Sequence, residues 1–448
     1  MSPRIAAAAL FVLAAWPACA AELDLARAVE TALARNPALL AVEEVRSQVA
    51  GGIREAKADA YPQLSLVSSW GQSRNPAFLN SPDFEELLDQ FPAGSFEPSV
   101  QELHRGVIEL AQPVWTFGKV GAAVELAEIV AQAAEAQIST ARLDTAAAAA
   151  ESYFQVLAAR QGLATLEGER EFRRRDLERI DSLLEIGEAT RLEQLRARAA
   201  LAEVEPEVAR RRGLVAVAET RLRQVLALPA DEPLELAAVE GRLPEPPAPE
   251  ALVARALAVR PELDDLARQQ EVYVKRGEIT RADGKPRLDL NGSWGREARV
   301  FDKLSDPLYD AWSVSVELNW SFFDGGRRKG QVEQFESQRR QLGLRRADLE
   351  SRVRLETSRA HSDFVTARAR AAAAEVSAAV AREALRVARE SYEQGVATQT
   401  DLLDAQSRST SAEVLAVESF FDARIQASRL ARAVGRYPTA SWTSSAEN

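Results

Sequence analysis

The sequence predicts a mostly helical α+β chain in which one unit, ordered helix, strand, strand, helix, helix, is written twice. Three observations carry this. Ala, Arg, Glu and Leu dominate the 448 residues while aromatics make up 6%, a composition that suits long helices rather than an all-β sandwich. Two proline-free runs, roughly 119–186 and 327–394, would each reach about 100 Å if wholly helical. Finally, the chain repeats itself. At an offset of 224, Leu33, Pro62, Ser69, Trp70 and Gly71 recur as Leu257, Pro286, Ser293, Trp294 and Gly295; at an offset of 208, Gly118, Gly187, Thr190 and Leu222 recur as Gly326, Gly395, Thr398 and Leu430. Self-similarity of this kind marks an internal duplication.

Taken in order, residues 1–20 form a secretory signal. Arg4 supplies positive charge, Ile5 to Trp16 an apolar run, and Ala18-Cys19-Ala20 a small-residue cleavage site. Cys19 either leaves with that signal or becomes an acylated first residue. The first repeat spans 21–228, with strands at about 62–71 and 104–117 and a long helical hairpin whose tip lies near 187. The drop in offset means that this copy holds 16 extra residues, the difference between 224 and 208. They fall in a Pro-, Asn- and acid-rich stretch around 75–98, which reads as an exposed loop. Residues 229–249 are a linker, since six of the twenty prolines fall there and no helix interior tolerates them. The second repeat spans 250–436, with strands at about 286–298 and 311–323 and a hairpin tip near 395. Residues 437–448 are a tail.

The last strand is the most regular. Trp312, Val314, Val316, Leu318, Trp320 and Phe322 alternate with Ser313, Ser315, Glu317, Asn319 and Ser321, one apolar and one polar face at a period of two. The first-copy strands alternate less cleanly. In the returning helix of copy one, Leu201, Val208, Val215 and Leu222 lie seven apart, a coiled-coil spacing in which Pro206 should introduce a kink.

Composition also excludes. A net charge of −11 argues against nucleic acid, which needs a basic surface to displace counterions. With two histidines, His104 and His361, and one cysteine, the chain cannot assemble a His/Cys metal cluster or a thiol relay. No GxxxxGK[ST] loop occurs. No catalytic, cofactor or metal site is read, and both histidines read as ordinary residues.

After residue 21 no segment approaches the roughly 20 apolar residues of a membrane-spanning helix, so any crossing must use strands. Tryptophans at both ends of the 312–320 stripe match the aromatic girdles of an outer-membrane barrel. Open sheet edges cannot face lipid, and four strands are too few to close. Two chains give eight strands and a filled barrel; three give twelve and a lumen. If the protein conducts anything, the sequence therefore predicts a homotrimeric 12-stranded transmembrane β-barrel, four strands per chain, continued by a long periplasmic α-helical coiled-coil barrel.

Essentially the whole mature chain resembles the TolC family of outer-membrane efflux and export channels. The likeness rests on the duplicated element order, on Trp320-Ser321-Phe322-Phe323-Asp324-Gly325-Gly326-Arg327 as a strand-to-helix passage, and on two segments of the periplasmic hairpin. These are Tyr392-Glu393-Gln394-Gly395-Val396-Ala397-Thr398 and Asp401-Leu402-Leu403-Asp404-Ala405. The first-copy passage, Pro113 to Lys119, lacks the Asp-Gly pair. The resemblance implies the exit duct of a tripartite efflux or type I secretion system. It implies contact with outer-membrane lipid, a periplasmic adaptor (membrane fusion) protein and an inner-membrane RND or ABC transporter. It further implies that Asp401 and Asp404 form carboxylate rings at the closed periplasmic end and that Tyr392 bonds across to Glu193. The basic residue that family gates can carry at the position of Ala397 is absent.

The hairpin tips also have a purely local reading. Gly187 and Gly395 suit a left-handed helix end, and Thr190 with Glu193, like Thr398 with Asp401, fits a capping box. Capping does not require Asp404, one turn beyond Asp401 on the same face. The tips at Gly187, Thr190, Gly395 and Thr398 are also where an adaptor would dock. The competing class is a periplasmic coiled-coil scaffold or adaptor that never spans a membrane. The cargo stays open between drugs, metals, metabolites and polypeptide.

Overall fold

The computed structural model describes residues 22–74 and 100–438. The expected signal peptide, the 75–98 insertion and all but the first residues of the 437–448 tail lie outside them. The element order is α1 (Leu25–Arg35), α2 (Pro37–Glu43), α3 (Val45–Ala58), β1 (Gln63–Ser73), β2 (Gln101–Trp115), α4 (Lys119–Glu185) and α5 (Arg191–Leu226), then α6 (Pro249–Val259), α7 (Pro261–Ala282), β3 (Arg287–Ala298), β4 (Asp310–Asn319), α8 (Arg327–Glu393) and α9 (Gln399–Ala433). Two 3-10 turns, Phe301–Ser305 and Pro307–Tyr309, connect β3 to β4. The chain divides into two compact units, one of Glu44–Gln137 with Glu262–Asp348, the other of Met1–Glu43, Ile138–Pro261 and Leu349–Asn448.

The sheet belongs to the first of these units. Its order is β1-β2-β3-β4, antiparallel throughout, so each repeat supplies one inner and one edge strand. Leu66, Ile108, Trp294 and Trp312 stand opposite one another across the four strands, and directly paired residues share a face. That face is an exposed apolar band running over Leu64, Leu66, Ile108, Val314, Val316 and Leu318. On the other face Ser293 and Ser313 share a 2.8 Å hydrogen bond, and Arg105 bridges Glu109 at 3.1 Å and Glu297 at 2.7 Å. One close approach fixes a residue type: a Cβ on Gly295 would lie 2.2 Å from the Gly106 carbonyl oxygen and 2.5 Å from the Val107 Cα.

Two details of the strands differ from the alternation read in the sequence. β4 stops at Asn319, short of 323, because its partner Arg287 is the first residue after Pro286, which has no N–H to extend the ladder. Trp320 instead donates its indole N–H to the Gly284 carbonyl at 3.1 Å. In β2 the register slips between Pro113, opposite Asp289, and Trp115, opposite Leu288. The extra residue, Val114, is a β-bulge that turns Trp115 onto the apolar face. This bulge breaks the alternation at the end of β2.

The second unit is helical. Its largest core cluster joins Ala28, Val29 and Ala32 of α1 to Ala146, Ala149, Ala150, Tyr153 and Val156 of α4, to Leu222 and Leu226 of α5, and to Phe421 of α9. Alanines at the contact let helix backbones approach closely. The Pro-rich linker is tied on by the Tyr153 hydroxyl, which donates to Ala237 O at 2.9 Å, and by Arg160, which reaches Glu219 and the Leu234 carbonyl. α5 runs as one helix through Pro206. Val204 and Val208, on either side of it, bury against Leu166 of α4, so packing rather than the backbone ladder holds that turn.

Candidate functional site

The two helical hairpins, α4–α5 and α8–α9, turn over in the same way. At the first, Gly187 N donates to Leu184 O at 3.1 Å and Glu188 N to Leu183 O at 2.8 Å; at the second, Gly395 N reaches Tyr392 O at 3.0 Å and Val396 N reaches Ser391 O at 2.8 Å. These are the paired 5→2 and 6→1 bonds of a Schellman cap. Both glycines are left-handed, φ +80 and +72, and a Cβ at either would meet nothing within 4 Å, so the demand for glycine is conformational rather than steric.

Capping boxes start the returning helices. Thr190 Oγ1 accepts from Glu193 N at 3.2 Å while Thr190 N donates to the Glu193 carboxylate at 2.6 Å. Thr398 and Asp401 repeat this at 3.3 and 2.9 Å. The backbone and side-chain bonds from Thr190 hold Glu193 below the ordinary carboxylate range, and the side-chain and backbone bonds from Thr398 do the same for Asp401. Both carboxylates are therefore ionised at neutral pH, and both are held within their own turn.

The remaining site residues have other partners. Asp404 accepts from Arg408 at 2.9 Å, an exposed i,i+4 pair. The Tyr392 ring lies under the Arg179 guanidinium, 4.7 Å from ring centroid to Cζ, and Arg179 also donates to Asp176 at 3.0 Å. Burial pulls the Arg179 pKa down, but its bonds to Asp176 and Tyr392 outweigh this and leave it raised. Among the described residues no hydrogen bond joins Tyr392 to Glu193 within the chain. Besides the Arg179 guanidinium on Tyr392, the two hairpins are joined here by Gln399, buried at the start of α9, which donates to the Glu193 carbonyl at 3.4 Å.

Sequence reasoning did not single out Arg179, Arg408 or Gln399. Arg408 sits four residues from Asp404, a spacing that names it. Arg179 lies in an arginine-rich run, where nothing local separates it from Arg173, Arg174 or Arg175. Together, the tips offer carboxylates fixed by short turns and a cation lying on an aromatic ring, with no nucleophile or relay among the described residues.

The sequence profile of the outer membrane efflux protein family matches residues 28–228 and 252–436. The outer membrane protein OprJ of Pseudomonas aeruginosa is 25% identical over 434 residues, covering 94% of this chain and 85% of OprJ. In fold, the chain is similar to a crystal structure of a Pseudomonas aeruginosa membrane protein, TM-score 0.76 at 23% identity with 92% of each chain covered. It is also similar to the Campylobacter jejuni CmeC outer membrane channel, TM-score 0.77 at 17% identity, covering 92% of this chain and 85% of CmeC. Among the described residues no helix is long and apolar enough to cross a membrane. The chain belongs to the outer membrane efflux protein family and is an efflux channel of the outer membrane rather than an enzyme.

Proposed function

We propose that three copies close a 12-stranded barrel and form the exit duct of a tripartite efflux system, passing cargo that an inner-membrane pump delivers through a periplasmic adaptor. One observation carries the assembly. β1 and β4 have no partner on their outer edges within the described sheet, yet the face between those edges is the apolar one. Unpaired backbone cannot face hydrocarbon, so the edges must pair with other copies. Twelve strands leave a lumen and eight do not. From Trp312 to Trp320 the apolar stripe of β4 and its continuation spans about 26 Å, close to the roughly 25 Å band of outer-membrane barrels. Efflux is favoured over type I secretion by the family description. The mass of the native particle in detergent tests the assembly: a trimer is expected, and a monomer or dimer would overturn it.

In this reading the hairpin tips are the periplasmic end. Asp401 and Asp404 from three copies place six carboxylates around the periplasmic entrance, a cation-attracting constriction, with Tyr392 and Glu193 on its flanks. Gly187, Thr190, Gly395 and Thr398 shape the surface that the adaptor meets. Arg408 moderates the ring by pairing with Asp404. Restoration of drug resistance in an efflux-deficient host that carries the cognate adaptor and pump tests transport. Failure there, with trimers present in the outer membrane, would overturn the efflux role.

A further inference from the structure

Among the described residues the α-helices join the sheet at one end, that of Gln63, Trp115, Arg287 and Asn319. The β3–β4 connection lies at the other, outside the membrane if the helices are periplasmic. It does not project straight from the strands. Arg296 donates to Leu304 O at 3.1 Å and to the Asp310 carboxylate at 2.8 Å, and the Phe301 ring meets His104 edge-on with centroids 5.6 Å apart. His104 pairs with Trp70 and Ala298, and Arg296 with Gly106 and Asp310. All of these have the parity of Trp294 and Trp312, so the connection folds back over the apolar face of the sheet rather than over its polar one.

Folding back places the loop next to the band. Arg296 is two residues from Trp294, about 7 Å along the strand, which is the headgroup margin if the tryptophans mark the edge of the hydrocarbon. The outward side of the loop is apolar where water would favour polar groups: Leu308 is 84% exposed and Phe301 68% exposed, with Val300 beside them. The charges of the loop balance, Arg299 and Lys303 against Asp302 and Asp306, so no net field draws it to a polyion. Asp306 is moreover committed to capping Leu308 N at 3.0 Å.

We propose that this connection is a lipid anchor on the outside of the barrel, with Phe301 and Leu308 seated at the headgroup and acyl boundary of the outer leaflet. The two 3-10 turns hold those side chains out, and the Arg296 bonds lock the turns against the strands. The proposal rests on the barrel reading above and adds a second, looped contact to the lipid-facing band. Its partner is a lipid surface, recognised by apolar area rather than by charge.

The test uses full-length trimers in liposomes, with Cys19→Ala to remove the one cysteine and a nitroxide label on Leu308→Cys, and on Phe301→Cys as a second position. Collisions with lipid-soluble oxygen and with a water-soluble nickel chelate report depth. Val316→Cys, in the middle of the band, and Ser293→Cys, on the polar face, calibrate the two extremes. The expected result is that oxygen collisions dominate at Leu308→Cys and Phe301→Cys, as they do at Val316→Cys, whereas the ratio inverts at Ser293→Cys. If both loop positions behave as Ser293→Cys while Val316→Cys stays lipid-exposed, the anchor is overturned and the barrel stands. If Val316→Cys is itself aqueous, the barrel reading falls and the anchor with it.

Discussion

The two hairpin tips share a backbone and differ in chemistry. At the offset of 208, Gly187, Ala189, Thr190 and Glu193 match Gly395, Ala397, Thr398 and Asp401. Three of these four are residues that the turn itself requires: a left-handed glycine, a capping threonine and the carboxylate that returns to its N–H. The positions around them diverge. Leu184 stands where the second copy has Tyr392, Arg196 where it has Asp404, and Glu188 where it has Val396. What the fold demands is thus duplicated, and what it leaves free is different at each tip. The first tip sets a cation one turn after its capping carboxylate, and the second sets another anion there. If the tips line the periplasmic entrance, only the second concentrates negative charge.

The largest expected effect tests the shared part. Gly395→Pro and Gly187→Pro each remove a Schellman N–H and demand a negative φ at a left-handed position, a conflict worth about 3 kcal/mol or more. Both should abolish adaptor-dependent export while the trimer still forms, because the tips belong to a different compact unit from the sheet. Loss of the trimer, or normal export, would contradict this. The next effect tests the divergent part. Asp401→Ala with Asp404→Ala should cut cation preference and block by multivalent cations several-fold in planar bilayers, because focused potential scales with ring charge. Glu193→Ala with Arg196→Ala removes one charge of each sign per chain and should change selectivity little. Equal responses from the two double variants would show that the charge asymmetry of the tips does not face the conduction path.

Much of the fold was legible in the sequence because its signals are local. Alternation and flanking prolines marked four strands, and the spacing from Thr to Glu or Asp marked both caps. What was not legible depended on distant partners. The end of β4 is set by Pro286, 33 residues upstream of Asn319. The phase of Trp115 is set by its pairing with Leu288 while Pro113 stays opposite Asp289, and no property of 104–117 alone places the bulge at Val114. The same holds at the tips. The cation on Tyr392 comes from Arg179 of another helix, whereas the Asp404–Arg408 pair lay within reach of spacing rules.

A smaller effect concerns pH. Glu193 and Asp401 have depressed pKa values in the folded tips, so they bind fewer protons there than in an open turn. Their contribution is fully present above the ordinary carboxylate pKa of about 4 and is lost as pH falls through the depressed folded value. Deuterium uptake at the amides of Glu193 and Asp401, corrected for intrinsic exchange, should therefore rise on acidification below that point and stay flat from neutral pH down to it. Thr190→Ala should bring the same increase at neutral pH, at a cost of about 1 kcal/mol. A rise already complete near neutrality would mean that another group controls the caps.

The smallest effect isolates the cation on the ring. Tyr392→Leu gives the second tip the residue that the first has at Leu184 and leaves the Schellman bonds untouched, since those are backbone. It removes the face on which Arg179 lies at 4.7 Å while Asp176 stays in place. A partly exposed cation–π contact is worth about 0.5–1 kcal/mol, so local opening at the end of α8 should become a few-fold more frequent in hydrogen exchange. Arg179→Gln alone should do the same and also release Asp176. The double variant decides the matter, because two contacting groups couple and two independent ones add. Should the effects of Tyr392→Leu and Arg179→Gln simply sum, the pair would not be a link between α4 and α8, and the joining of the hairpins at their tips would fall to the Gln399 bond to the Glu193 carbonyl.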